Sequence, residues 1–128
     1  MPSLNRVQLI GRLGRDPETR FTPTGKKVCR FSLAVDRRWT SVEGEKKEAT
    51  DWFNIEAWRR LGEICQQYLH KGSLVFVEGR LQTDRYEQAG ETRSSTKVIA
   101  NQMLMLDRAP EDVEAVSVEE DIEEPPTE

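Results

Sequence analysis

The chain has 128 residues, 36% hydrophobic and 33% charged, enough for one ordinary domain and a tail but not for two cores. Its formal charge of −4 argues, taken alone, against a nucleic-acid partner. No apolar run fits a membrane span or a signal-peptide core, and two cysteines with one histidine fall short of the four Cys and His ligands usual in a structural zinc site.

The charge is unevenly placed. Through Arg108, 19 Lys and Arg face 14 Asp and Glu, a surplus of +5, whereas residues 109–128 carry 9 acids and no base. A basic body with an acidic tail points to an anionic partner for the body and to self-screening or protein contacts for the tail. Residues 1–108 therefore read as one domain. Residues 109–128, with scattered valines and no apolar period, read as a disordered acidic tail.

In chain order, Val7, Leu9 and Leu13 alternate as a first strand starting near Asn5. Residues 14–26 form a long, turn-rich connection with a short strand at Thr19 to Phe21. Cys29, Phe31, Leu33 and Val35 alternate with Val28, Arg30, Ser32, Ala34 and Asp36, the clearest strand of the chain. Residues 37–47 are polar and charged and read as an exposed loop holding Trp39.

The next strand, Thr50 to Trp58, turns Phe53, Ile55 and Ala57 to one face and Trp52, Asn54, Glu56 and Trp58 to the other. Its two tryptophans stand roughly 20 Å apart on the wetter face, where indoles need a partner. Glu56 between them would repel phosphate unless paired, and by facing parity Arg30 is its best partner. Leu61, Ile64, Cys65, Tyr68 and Leu69 then take helical spacing, with His70 as a cation in the last turn and Gly72 as the stop.

Leu74 to Gln82 is a strand with a bulge or bend at Gly79. Residues 84–91 read as a loop carrying Tyr86. Thr92 to Leu106 is the last strand, with Val98, Ala100, Leu104 and Leu106 on one face and Ile99, Met103 and Met105 on the other. Cys29 and Cys65, far apart and outside any Cys-x-x-Cys pattern, read as reduced core thiols of a cytoplasmic protein.

Three strands, a helix and two more strands give an all-β class: a five-stranded OB barrel with one α-helix between the third and fourth strands. An unrelated α+β sheet is the alternative. OB barrels bind oligonucleotides on the face of strands 2 and 3 and through two loops, where Trp39, Trp52, Trp58 and Tyr86 fall. Those four aromatics are the candidate stacking residues, each stacked base contributing about 1–3 kcal/mol. Arg12, Arg15, Arg20, Lys26, Lys27, Arg37, Arg38, Lys46, Lys47, Arg85 and Arg93, in or beside loops, are the candidate phosphate contacts. There is no phosphate-binding Gly-Lys-Ser/Thr loop, no carboxylate cluster at metal spacing and no Ser, Cys or His constellation, so neither an enzyme nor a cofactor is expected.

The chain resembles the bacterial-type single-stranded DNA-binding protein (SSB) family. The similar stretches are Asn5 to Val7, Leu9 to Glu18, Phe31 to Val35, Thr50 to Trp52, Tyr68 to Ser73 and Val77 to Leu81, in order and at family spacing. The resemblance implies stacking of bases on Trp39, Trp52, Trp58 and Tyr86, and a homotetramer of OB folds wrapped by single-stranded DNA. Trp58 stands where phenylalanine is frequent, Tyr86 where tryptophan is common, and Phe53 replaces a histidine frequent at the family's subunit contact.

The family's acidic tail recruits replication and repair proteins through an apolar tip. Here the acids of residues 119–124 are followed by Pro125-Pro126-Thr127-Glu128, without that tip. The expected function is sequence-independent binding and protection of single-stranded DNA in replication, recombination and repair. The alternative is an OB-fold protein-binding adaptor of the replication-restart type.

Overall fold

The computed structural model describes residues 2–107; the expected tail at 109–128 lies outside the described residues. Six strands, β1 (Val7–Leu13), β2 (Glu18–Phe21), β3 (Lys27–Thr40), β4 (Lys46–Trp58), β5 (Leu74–Gln88) and β6 (Glu91–Met105), and one helix, α1 (Arg59–Tyr68), make up the domain. The sheet runs β1-β5-β6-β4-β3-β2, and a further β1–β3 pairing closes it. Strands β1, β3, β4, β5 and β6 thus form the expected five-stranded barrel, in which only the β4–β6 seam is parallel. The short β2 adds an outer strand to β3.

Alternation builds the core. Leu13, Cys29, Phe31, Leu33, Ile55, Ala57, Val75, Val77 and Val98 point inward and are buried. Helix α1 closes one end with Leu61 and Cys65, followed by Leu69. Gly62 lets the helix approach the barrel wall, because a Cβ there would collide with the Ala57 carbonyl.

A register shift falls between Glu78 and Gly79, where the bend was expected. Glu78 pairs with Gln102 and Gly79 with Ala100, leaving Asn101 as the extra residue. The bulge reverses facing in β6: Val98 and Ala100 join the core before it, and Met103, not Leu104, joins after it. Strict alternation, which grouped Leu104 and Leu106 with Val98, fails for that reason.

Two further expectations are corrected. The loops of residues 37–47 and 84–91 are mostly strand: β3 continues to Thr40 and β4 begins at Lys46, while β5 and β6 meet at Ala89 and Gly90. Both ribbons project beyond the barrel, where neither face is buried and alternation of hydrophobicity carries no signal. His70 is not in the last turn of the helix, whose C-cap is Leu69; it lies in the following turn, with Nδ1 2.9 Å from the Lys71 carbonyl.

Candidate functional site

The outward face of β3 and β4 is fixed by their uninterrupted register. Val28 lies opposite Trp58, Arg30 opposite Glu56, Ser32 opposite Asn54 and Ala34 opposite Trp52. Trp52 is 61% exposed at one end of this face and Trp58 is half-buried at the other. The bare backbone of Gly14 lies under the Trp52 ring, in a hollow that Arg15 and Ser32 complete.

A cleft of about 450 Å³ runs between the two tryptophans. The β1–β2 connection supplies Arg15 and Asp16 to it, β3 and β4 supply Arg30, Ser32, Asn54 and Glu56, and the β5–β6 ribbon supplies Asp84, Ser95 and Lys97. On that ribbon Tyr86, paired with Arg93, shares a face with Asp84 by strand parity and is 46% exposed. Trp52, Trp58 and Tyr86 therefore border one outward surface.

Trp39 does not join them there. It lies opposite Lys47 in the β3–β4 ribbon, with the parity of Phe31 and Leu33, so it emerges on the other side of the ribbon from Trp52. The Arg37 guanidinium lies 4.9 Å from the centre of its ring, a cation–π contact, and is also bonded to Asp51 at 2.8 Å. Trp39, Arg38, Lys46 and Lys47 line a separate hollow near the ribbon tip.

The basic candidates divide by partner. Arg20 pairs with Glu18 at 2.7 Å, Arg38 with Glu48 at 3.5 Å, Lys47 with Glu45 at 3.6 Å and Arg93 with Glu91 at 3.4 Å. These pairs are exposed, so exchanging the carboxylate for another anion costs little. Arg12 donates to the Gly72 carbonyl at 2.9 Å. Arg15, Lys26, Lys27, Lys46 and Arg85 form no ion pair among the described residues. Arg37, Arg38, Lys46, Lys47 and Arg85 lie on strands, not in the loops expected at 37–47 and 84–91, and Arg93 lies on the last strand, as expected.

Glu56 is buried, and the expected Arg30 partner is in place, with Nε 3.1 Å from Oε2. Sequence reasoning missed the second cation. Lys97 Nζ lies 3.2 Å from Glu56 Oε2 and 3.2 Å from Asp84 Oδ2, tying the ribbon to the barrel wall. Slight desolvation tends to raise the exposed Asp84 carboxyl, but hydrogen bonds from Lys97 and Gln82 and the Lys97 charge outweigh it and hold the group below its ordinary pKa. Gly14 was missed as well, for a glycine's role as a floor is written in what lies over it. Among the described residues no cluster of His, Cys, Asp and Glu could hold a metal.

Residues 4–106 match the family model described as "Single-strand binding protein family". The chain is 50% identical over 105 residues to a single-stranded DNA-binding protein of Neisseria meningitidis, covering 81% of this chain and 60% of that one. It is 43% identical over 105 residues to single-stranded DNA-binding protein 1 of Chlorobaculum tepidum, covering 80% and 65%. The chain thus spans about three fifths of the length of these curated relatives.

Among solved structures it superposes on the SSB of Plasmodium falciparum in complex with ssDNA, with a TM-score of 0.78, 32% identity and coverage of 84% of this chain and 98% of that one. A deletion mutant of the single-stranded DNA binding protein from Thermus aquaticus gives a TM-score of 0.74 at 34% identity, covering 84% and 52%.

Proposed function

Because the chain belongs to the single-strand binding protein family, we propose that it binds and protects single-stranded DNA during replication, recombination and repair, without catalytic turnover. The observation that carries the reading is the outward face of β4, where a 61% exposed indole and a half-buried one flank a cleft. Soluble domains seldom leave such rings uncovered, and every base offers a face to stack on them. Trp52, Trp58 and Tyr86 stack bases along one surface, and Trp39 adds a platform where a longer strand rounds the β3–β4 ribbon. The likeness to an SSB in complex with ssDNA supports ssDNA as the ligand.

Four carboxylates, from Asp16, Glu18, Glu56 and Asp84, border the cleft against Arg15, Arg30 and Lys97. Phosphates accordingly keep off the cleft's acids and cross the wider surface, past Arg12, Arg15, Arg20, Lys26, Lys27, Arg85 and Arg93 and, where a longer strand rounds the β3–β4 ribbon, past Arg37, Arg38, Lys46 and Lys47. Stacking without edge readout makes the binding indifferent to sequence, and counterion release makes it weaken with salt.

The working form is a homotetramer. An outward apolar row crosses three strands, Ile10 opposite Phe76 and Phe76 opposite Leu104, with Ile10 56% exposed, and burial against further copies removes it from water. Replication and repair proteins dock through the acidic tail, and the protein acts in the cytoplasm on the nucleoid. No described helix is long and apolar enough to cross a membrane.

Titration with oligo-dT, read by intrinsic tryptophan fluorescence, tests the function. Quenching that saturates at low salt and recedes as salt is added is expected; an unchanged signal at low salt would sink the reading. Light scattering of the same samples gives the subunit number, and a monomer throughout would remove the tetramer.

A further inference from the structure

The acid between the two tryptophans has a role that charge alone would not suggest. Glu56 is 5% exposed, on the outward face of β4, two residues before Trp58 and on the same side of the strand. Its two oxygens have different partners. Oε2 takes both cations, Arg30 Nε at 3.1 Å and Lys97 Nζ at 3.2 Å. Oε1 accepts a hydrogen bond from the Trp58 indole Nε1–H at 3.2 Å.

Lys97 hydrogen-bonds Oε2 and the Arg30 guanidinium sits beside the same oxygen as a charge contact whose Nε–H makes no hydrogen bond, so the other oxygen is left to the indole. An indole N–H has a single donor direction, so this bond selects one orientation of the ring. Charge-assisted hydrogen bonds are the stronger kind, and partial burial shields this one from competing water. Lys97 also holds Asp84, which lies two residues before Tyr86 on the β5–β6 ribbon. One buried carboxylate thus ties the Trp58 ring and the base of the ribbon bearing Tyr86 to the same point of the barrel wall.

We infer that Glu56 is a positioning residue of the DNA-stacking surface: through the Trp58 N–H it sets the ring at the angle a base meets, while Arg30 and Lys97 hold its carboxylate and cancel its repulsion of phosphate. The inference rests on the single-stranded DNA reading of the site. Preorganisation is its energetic content, since a ring already held in its binding orientation loses less freedom when a base stacks on it. Phenylalanine at position 58 would offer the same face but no N–H for the acid to hold.

The test has one arm without DNA and one with it. In the free protein, proton–nitrogen spectra give one indole signal for each of Trp39, Trp52 and Trp58, and Trp58→Phe identifies the third by its loss. The Trp58 N–H is expected to exchange with water more slowly than that of the exposed Trp52, and Glu56→Gln to shift the Trp58 signal while leaving the other two in place. A Trp58 signal unmoved by Glu56→Gln would overturn the inference, whether or not DNA binds.

In the second arm, oligo-dT affinity is measured for the parent, Glu56→Ala, Trp58→Phe and the double variant by the anisotropy of a labelled oligonucleotide. Glu56→Ala is expected to weaken binding by up to about tenfold in the parent and by little or nothing in the Trp58→Phe background. Equal losses in both backgrounds would show that Glu56 acts through charge or folding and would overturn the positioning role. If Glu56→Ala does not fold, Glu56→Gln takes its place in the cycle, judged by the same coupling to Trp58. A parent that fails to bind oligo-dT at low salt refutes the proposed function, a result separate from the indole spectra.

Discussion

The six-membered ring of the Trp52 indole lies directly over the backbone of Gly14, so closely that a β-carbon at position 14 would collide with it. Glycine is favoured there by the ring that covers it, not by a backbone angle. Gly14→Ala is expected to push the indole off its floor, lowering oligo-dT affinity by up to about tenfold, the scale of one stacked base. The thermal midpoint should barely move, because the ring is at the surface. Unfolding curves and labelled-oligonucleotide titrations check the two halves, and unchanged affinity would mean that the ring stacks as well from a shifted position.

Trp39 and Trp52 emerge on opposite sides of the β3–β4 ribbon. A short oligo-dT occupying the outward face should therefore lose about 1–3 kcal/mol of binding on Trp52→Ala and little on Trp39→Ala. A longer strand that rounds the ribbon should feel both. Affinities measured over a series of oligonucleotide lengths would show the Trp39 effect appearing only past a threshold; equal effects at the shortest length would place both rings on one binding surface.

The barrel was legible because its strands bury one face, and alternation at Cys29, Phe31, Leu33 and Val35 states the facing outright. The single apolar stripe of Leu61, Ile64, Cys65 and Leu69 marked the helix in the same way. Legibility ended at the rim. Arg37 to Thr40 and Asp84 to Gln88 bury neither face, so they were indistinguishable from loops, and the parity of Trp39 could not be assigned without the register. The β6 facing failed at Asn101 because a bulge leaves no mark on composition. Arg30 was readable as the partner of Glu56 from parity across adjacent strands, whereas Lys97 reaches Glu56 across the parallel β4–β6 seam, a pairing that only closure of the barrel creates.

Both cysteines are buried and unpaired. Burial pushes the Cys29 thiol from 9.0 up to about 11, against a small opposing effect of Lys27, and raises Cys65 further. The unfolded chain therefore releases these protons first as pH rises. Their contribution to stability is intact below about pH 9 and is lost from there upward, through about 11 for Cys29. Urea midpoints across that range should decline more steeply for the parent than for a Cys29→Ala, Cys65→Ala variant. Parallel declines would assign the alkaline loss to other groups.

Nine acids follow residue 108, with no base among them, on a body of net +5. Tethered anions near a basic surface compete with phosphate, and salt screens that competition. Deleting residues 109–128 should tighten oligo-dT binding most at low ionic strength, with the two proteins converging as salt rises. Equal affinity of both at low salt would exclude the competition.

Arg59 opens α1 at a φ of 58°, in the left-handed region, immediately after extended Trp58. The turn from β4 into the helix imposes this angle, and a side chain there costs about 1–2 kcal/mol. Glycine adopts the angle freely but gives back roughly 0.5–1 kcal/mol through a less restricted unfolded chain. Arg59→Gly should therefore stabilise the domain by up to about 1 kcal/mol, a rise in thermal midpoint of up to about 8 °C for a domain of this size. Calorimetry on parent and variant measures it directly. A lowered midpoint would mean that the contacts of the Arg59 side chain outweigh the strain in its backbone.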